Sequence, residues 1–273
     1  MTTFKITLAY DGTDFVGWQR QASGSSIQGL VEDALRDLDQ REVPVTGAGR
    51  TDAGVHALGQ VASCSLHRAI DADALVGALN ARLPITVRVR TAEPVAPTFH
   101  ARYGALAKTY RYRIWNADVM NPFERAYAWH VAGPLDRSAM ADAAGRIEGR
   151  HDFAAFQAAG GSTKTSEREV FSSRIAEKRS TTEDTEDAGK RENLPVLSVP
   201  RRGELIVYEI RGNGFLRYMV RNIVGSLVEI GRGRRPVNWL TDVLANRDRT
   251  QAGPTAPPQG LVLVAVEYEL QSR

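Results

Sequence analysis

Residues 49–57 read Gly49-Arg50-Thr51-Asp52-Ala53-Gly54-Val55-His56-Ala57. Two glycines bracket a cation, a hydroxyl and a carboxylate. Glycine allows backbone angles and close approaches that a Cβ forbids. Thr and Asp favour turns because their side chains bond neighbouring amides. The run that follows, Gln60-Val61-Ala62-Ser63-Cys64-Ser65-Leu66, reads as a strand. Asp52 is therefore expected on an exposed turn that rigid elements hold in place. Local chemistry leaves two readings open. Asp52 is a turn former, or it is a carboxylate kept ionised by the adjacent Arg50 and able to act as nucleophile or general base.

Upstream, residues 4–10 alternate apolar and polar, as in a strand with one buried face. Asp11-Gly12-Thr13-Asp14 ends it as a turn, and Trp18 among Gln19, Arg20 and Gln21 is either core or an RNA-facing segment. Ser25 followed by Gln28 has capping-box spacing, ahead of an apolar stripe from Ile27 to Leu38. Asp71 is expected to cap a second helix that stops before Pro84, and Val87–Arg90 is a short strand. This β-α-β-α-β order suits a split βαβ, ferredoxin-like unit.

The second half repeats the alternation. Residues 106–115 read as a strand with Lys108, Tyr110 and Tyr112 on one face and Arg111 and Arg113 on the other. Asp136 opens a helix, 168–176 and 204–210 are strands, and Gly260 precedes a last strand. Gly212-Asn213-Gly214 leads into a long helix on which Arg217 and Arg221, four apart, are expected to share one side. Pro236 is expected to start a further helix. Residues 177–200 read as a polar, charged surface insertion, disordered at its centre. The class is α+β: two ferredoxin-like or RRM-like halves, residues 1–104 and 105–273, with mainly antiparallel sheets flanked by helices and a cleft between them.

The chain has 273 residues, 42% apolar and 25% charged, which is ordinary for a globular protein. Cys64 is the only cysteine, so no internal disulfide can form. No leader and no stretch near ~18 uninterrupted apolar residues is evident, so a cytoplasmic, non-membrane protein is expected. The net charge of +3 hides a division. Residues 177–192 hold six acids against four bases, and 201–235 hold eight arginines against three acids. A basic segment beside an acidic one suits an anionic partner.

Three decoys fail. Gly212-x-Gly214 before a helix imitates a dinucleotide fingerprint, but position 217 is Arg and no acid follows at the required distance, so no nucleotide cofactor is expected. The five histidines and one cysteine show no metal-ligand spacing. Gly160 to Thr165 lacks the ending of a phosphate loop.

Gly49 to Ala57 resembles the catalytic-loop signature of the tRNA pseudouridine synthase A family. Further segments match in order: Tyr10-Asp11-Gly12 with Gly17-Trp18-Gln19-Arg20, Phe99-His100-Ala101-Arg102, Lys108-Thr109-Tyr110-Arg111-Tyr112, Phe215 through Gly225, and Gly260-Leu261. The resemblance implies the pseudouridine synthase fold, a homodimer, no cofactor and no metal, and a substrate of tRNA at uridines 38, 39 and 40 of the anticodon stem-loop. It implies that Asp52 is the catalytic nucleophile or base, that Arg221 pairs with it, and that Tyr110 stacks on uracil or takes the C5 proton. Arg50 would help draw out the base, with Arg20, Arg102, Lys108 and Arg217 as further RNA contacts. The rivals are a non-catalytic RNA-binding module, a glycoside hydrolase, which needs a second carboxylate, and a related synthase with other targets.

Overall fold

In a computed structural model of the chain, residues 1–160, 165–176 and 203–269 are described. The insertion expected at 177–200 and most of the loop at 160–165 lie outside the described residues. The first half runs β1 (Thr2–Tyr10), α1 (Ile27–Asp39), β2 (Thr46–Gly47), β3 (His56–Leu66), α2 (Ala72–Asn80), β4 (Val87–Val95). β1 lies antiparallel between β4 and β3, and β2 pairs with the far side of β3. That order is the split βαβ arrangement the sequence suggests.

The second half runs β5 (Ala107–Ala117), β6 (Trp129–Val131), α3 (Arg137–Gly145), β7 (Gly149–Asp152), β8 (Glu167–Ala176), β9 (Gly203–Gly212), α4 (Met219–Gly231), α5 (Trp239–Asn246), β10 (Leu261–Glu267). Its strands are ordered β10-β5-β9-β8-β7, which repeats the first half's order with β7 added at the edge. The two sheets are not separate. β10 pairs in parallel with β3 through Val262–His56 and Leu263–Ala57, so the described strands form one ten-stranded sheet. β10 is the seam.

Burial alternates along the strands. Phe4, Ile6 and Leu8 of β1, Tyr112 and Ile114 of β5, and Ile206, Tyr208 and Ile210 of β9 are buried in one core with the helices. The intervening residues, such as Lys5, Arg111 and Arg113, stay half-exposed on the other face. Period-two alternation of this kind buries one face of a sheet and leaves the other wet.

Three local expectations need correction. Ser26, not Ser25, caps α1, accepting from Gly29 N–H at 3.2 Å. The Ser25 carbonyl is already taken by Val16 N–H, so the helix starts one residue later and Gln28 turns to Gln19 and Glu32 instead. Arg217 does not share α4 with Arg221. Tyr218 has φ 62°, a left-handed conformation, so α4 opens only at Met219 and Arg217 lies in the turn ahead of it. Pro236 sits in the turn before α5, where Trp239 N–H bonds its carbonyl, and Asn238 precedes the first helical residue.

α4 is buried nearly all round. Residues 253–257 lie against it so closely that a Cβ on Gly225 would come 1.7 Å from the Pro254 carbonyl oxygen. Gly225→Ala gains about 1 kcal/mol of helix propensity, yet it must push that segment off the helix. A net loss of about 2–3 kcal/mol is expected, read in calorimetry as a Tm lowered by roughly 4–12 °C. An unchanged Tm would show that the segment is not pinned there.

Candidate active site

The loop between β2 and β3 carries Asp52, and side chains from three directions fix it. Tyr10, at the end of β1, has its hydroxyl 2.8 Å from Thr51 Oγ1. Buried Gln60 donates from Nε2 to the Gly49 carbonyl at 2.9 Å. Trp18 N–H donates to the Thr51 carbonyl at 3.0 Å, and Val55 N–H to the Asp52 carbonyl at 3.1 Å. Gly17 has φ 104°, and a Cβ there would meet the Thr51 carbonyl oxygen at 2.5 Å, so this close approach requires glycine. Trp18 itself is buried with its indole against Gly47, the core alternative for that residue. The turn is thus rigid, as the sequence suggests, and its Asp52 side chain is 24% exposed.

Arg221 comes from the first turns of α4 in the other half. Its Nη1 lies 3.4 Å from Asp52 Oδ2, and its Nε donates to the Ala256 carbonyl at 2.7 Å. Ala256 N–H returns a bond to the Arg221 carbonyl at 3.1 Å. The segment 253–257 therefore clamps Arg221 at both backbone and side chain, and Tyr112 Oη donates to the Pro257 carbonyl at 2.7 Å. The guanidiniums of Arg221 and Arg217 lie 4.6 and 5.0 Å from the Tyr218 ring centroid.

Burial raises the Asp52 carboxyl above its ordinary range, while Arg221 and then Arg217 pull it back. Arg50, adjacent in sequence, is exposed and is not among the cations acting on Asp52. The local expectation that Arg50 keeps Asp52 ionised is corrected: the cations come from the second half. The cause is geometric, because consecutive residues in a turn point apart.

Tyr110 on β5 is buried and meets Phe215 edge to face at 5.2 Å between ring centroids. Burial pushes its hydroxyl well above the ordinary phenol range, with Tyr10 and Asp52 adding to the effect. Tyr10, Tyr112 and Tyr208 all hydrogen-bond another group. The Tyr110 hydroxyl has no such partner among the described residues. Lys108, two residues earlier on the same face, has its Nζ 3.3 Å from where a Cβ on Gly49 would stand. Burial pulls its ammonium down to about 8, with Arg102 and Arg168 adding to the effect.

Arg221, Arg217, Tyr110 and Lys108 thus gather around the Asp52 loop. Arg102 is exposed, and Arg20 is committed to Glu32 and Asp33 of α1. Sequence reasoning does not find Tyr218 or Ala256. Neither carries a local signal: one acts through a left-handed backbone, the other through a carbonyl. A cavity of about 600 Å³ lined by Arg111, Arg113 and Val207 opens on the opposite face of β5 from Tyr110 and does not contain Asp52. Among the described residues no three His, Cys, Asp or Glu side chains gather as metal ligands would, and no helix is long and apolar enough to cross a membrane.

A family model described as tRNA pseudouridine synthase matches residues 6–104 and 143–269. A tRNA pseudouridine synthase A of Myxococcus xanthus is 44% identical over 98% of this chain and 92% of its own length. One of Moorella thermoacetica is 44% identical over 98% of this chain and 100% of its own. One chain of a solved Cbf5-Nop10-Gar1 complex aligns with 97% of this chain and 50% of its own at 11% identity, with a TM-score of 0.37, a likeness too weak to bear on fold or function.

Proposed function

This chain belongs to the tRNA pseudouridine synthase family, and on that premise we propose that Asp52, Arg221 and Tyr110 are the centre at which it isomerises uridine to pseudouridine in tRNA. The N1–C1′ bond breaks, uracil turns, and a C5–C1′ bond forms. The C5 proton leaves and N1 gains one, so atoms balance with no redox step and no cofactor. The observation that carries the assignment is the Asp52–Arg221 pair, supplied by opposite halves and still partly open to solvent. Asp52 is the nucleophile or base. Arg221 partly offsets burial and favours its ionised form. Tyr110 offers its ring to the extruded uracil. Its raised pKa weighs against a phenolate, so we assign it stacking rather than proton abstraction.

The target uridines in this reading are 38, 39 and 40 of the anticodon stem-loop, where extruding a base from its stack costs about a few kcal/mol. Arg50, Arg102, Lys108 and Arg217 contact the RNA; Arg20 contributes only by leaving its carboxylates. Residues 1–104 supply the loop and 105–273 the guanidinium. The enzyme works as a cytoplasmic homodimer with tRNA lying across both subunits, which sedimentation with and without tRNA would test. The decisive measurement is release of tritium from tRNA labelled at uridine C5. Release confined to transcripts with uridine at 38–40 is the expected result. Tight binding without release would favour the non-catalytic RNA-binding rival.

A further inference from the structure

Lys108, Arg102 and Arg168 form a cationic cluster beside the Asp52 loop, and among the described residues it has no acidic partner. Lys108 of β5 pairs in register with Gly212 of β9, and Gly212 pairs with Val170 of β8. Arg168 lies two residues before Val170, so period two puts it on the same face of β8. Its Nε is 3.6 Å from where a Cβ on Gly214 would stand, in the turn that leads to α4. Arg102 precedes β5 in a turn built on His100, whose Nδ1 accepts the N–H groups of Arg102 and Tyr103. Among the described residues none of the three forms an ion pair. Arg168 donates only to the Thr165 and Glu167 carbonyls, which carry no net charge. Every other arginine on β5, β8 and β9 pairs with a glutamate: Arg111 and Arg174 with Glu209, Arg113 with Glu124, Arg211 with Glu267.

Like charges held together without an acid repel, and burial adds to the cost. An anion removes both penalties, and a multiply contacted phosphate does so best. Lys108 is two residues from Tyr110, about 6.6 Å along the strand, so the anion would sit one short step from the uracil position. Resting on the function proposed above, we infer that Lys108, Arg102 and Arg168 together take a single backbone phosphodiester of the RNA next to the target uridine. Tyr103, 78% exposed, flanks this site, with the His100 ring 4.3 Å and the Arg102 guanidinium 5.8 Å from its ring centroid. The site fixes the register of the strand on the cleft; it does not read the base.

The test uses an Asp52→Asn background, which binds without turnover, and anticodon stem-loop RNA carrying a neutral methylphosphonate at one position at a time. Arg168→Gln is expected to weaken binding about tenfold and to lower the salt slope by about one. Arg168→Lys, which keeps the charge, restores most of both. One methylphosphonate beside the target uridine weakens the parent by more than Arg168→Gln does, because it removes the partner of all three cations, and weakens Arg168→Gln by correspondingly less. Independent losses at every position would overturn the single-phosphate site, as would unchanged binding. A second readout is proton uptake. Binding by the parent weakens as pH rises through about 8, and Lys108→Arg, whose charge is fixed, flattens that limb. Asp52, on the facing loop, is absent in this background. A limb that survives Lys108→Arg counts against the site. Failure of the function itself reads differently: the wild-type chain releases no tritium.

Discussion

Asp52→Asn is expected to bind tRNA as the parent does and to form pseudouridine slower by at least roughly four orders of magnitude. The amide keeps the shape and the turn, because the loop is held by Tyr10, Gln60 and Trp18 rather than by the Asp52 side chain. What it removes is the negative charge. The same substitution carries a stability signature of opposite sign. The folded carboxyl has its pKa raised above the ordinary carboxylate value, mainly by burial. A raised folded pKa means stability is fully present below the unfolded pKa and is lost as pH rises through the folded one. The neutral amide avoids that loss. Asp52→Asn should therefore melt above the parent at neutral pH, and the two should converge below about pH 4. A variant that melts lower at pH 7 would mean that Arg221 outweighs burial. Full turnover would remove Asp52 from the chemistry altogether.

Arg221→Ala is expected to fail differently. An opposite charge at this range shifts a carboxyl by about 1–3 units, so losing it raises the Asp52 pKa further. At pH below the parent's own Asp52 pKa the variant is slower by about ten- to a thousandfold, and the gap narrows as the pH rises toward the raised pKa. Raising the pH by the same number of units regains that part. The Asp52→Asn deficit does not respond to pH, so pH–rate profiles of the two variants separate charge from chemistry. A flat profile with wild-type rates for Arg221→Ala would show that the 3.4 Å pair has no role in ionisation. Arg221→Lys should recover little, because only a planar guanidinium reaches both Asp52 and the Ala256 carbonyl from one position.

The fold was legible where it rested on period and turn chemistry. β1, β5 and β9 alternate cleanly, and Asp71 and Asp136 cap α2 and α3 where their side chains predict. Legibility failed where backbone conformation is set from a distance. Nothing local tells that Ser25 has its carbonyl engaged by Val16, or that Tyr218 adopts positive φ and delays α4. The site divides in the same way. Asp52 stands out in its own loop, and Tyr110 and Arg221 come forward through the family resemblance. The partner of Asp52 could not be read from adjacency. Arg50 is the neighbour in sequence, yet the cation that matters is 169 residues away. The segment that aims it works through main-chain carbonyls, which any residue could supply and which therefore leave no mark in the sequence.

The late position of β10 in the chain imposes an order in time. The strand that joins β3 to β5 is the last element described, so during synthesis the first half emerges and folds with one edge unpaired. Asp52 can be in its loop, and Arg221 in its helix, well before the two meet. A ribosome-bound chain stalled short of residue 267 should thus carry every acting side chain and remain inert, and it becomes competent to modify RNA only once that closing strand is free to insert.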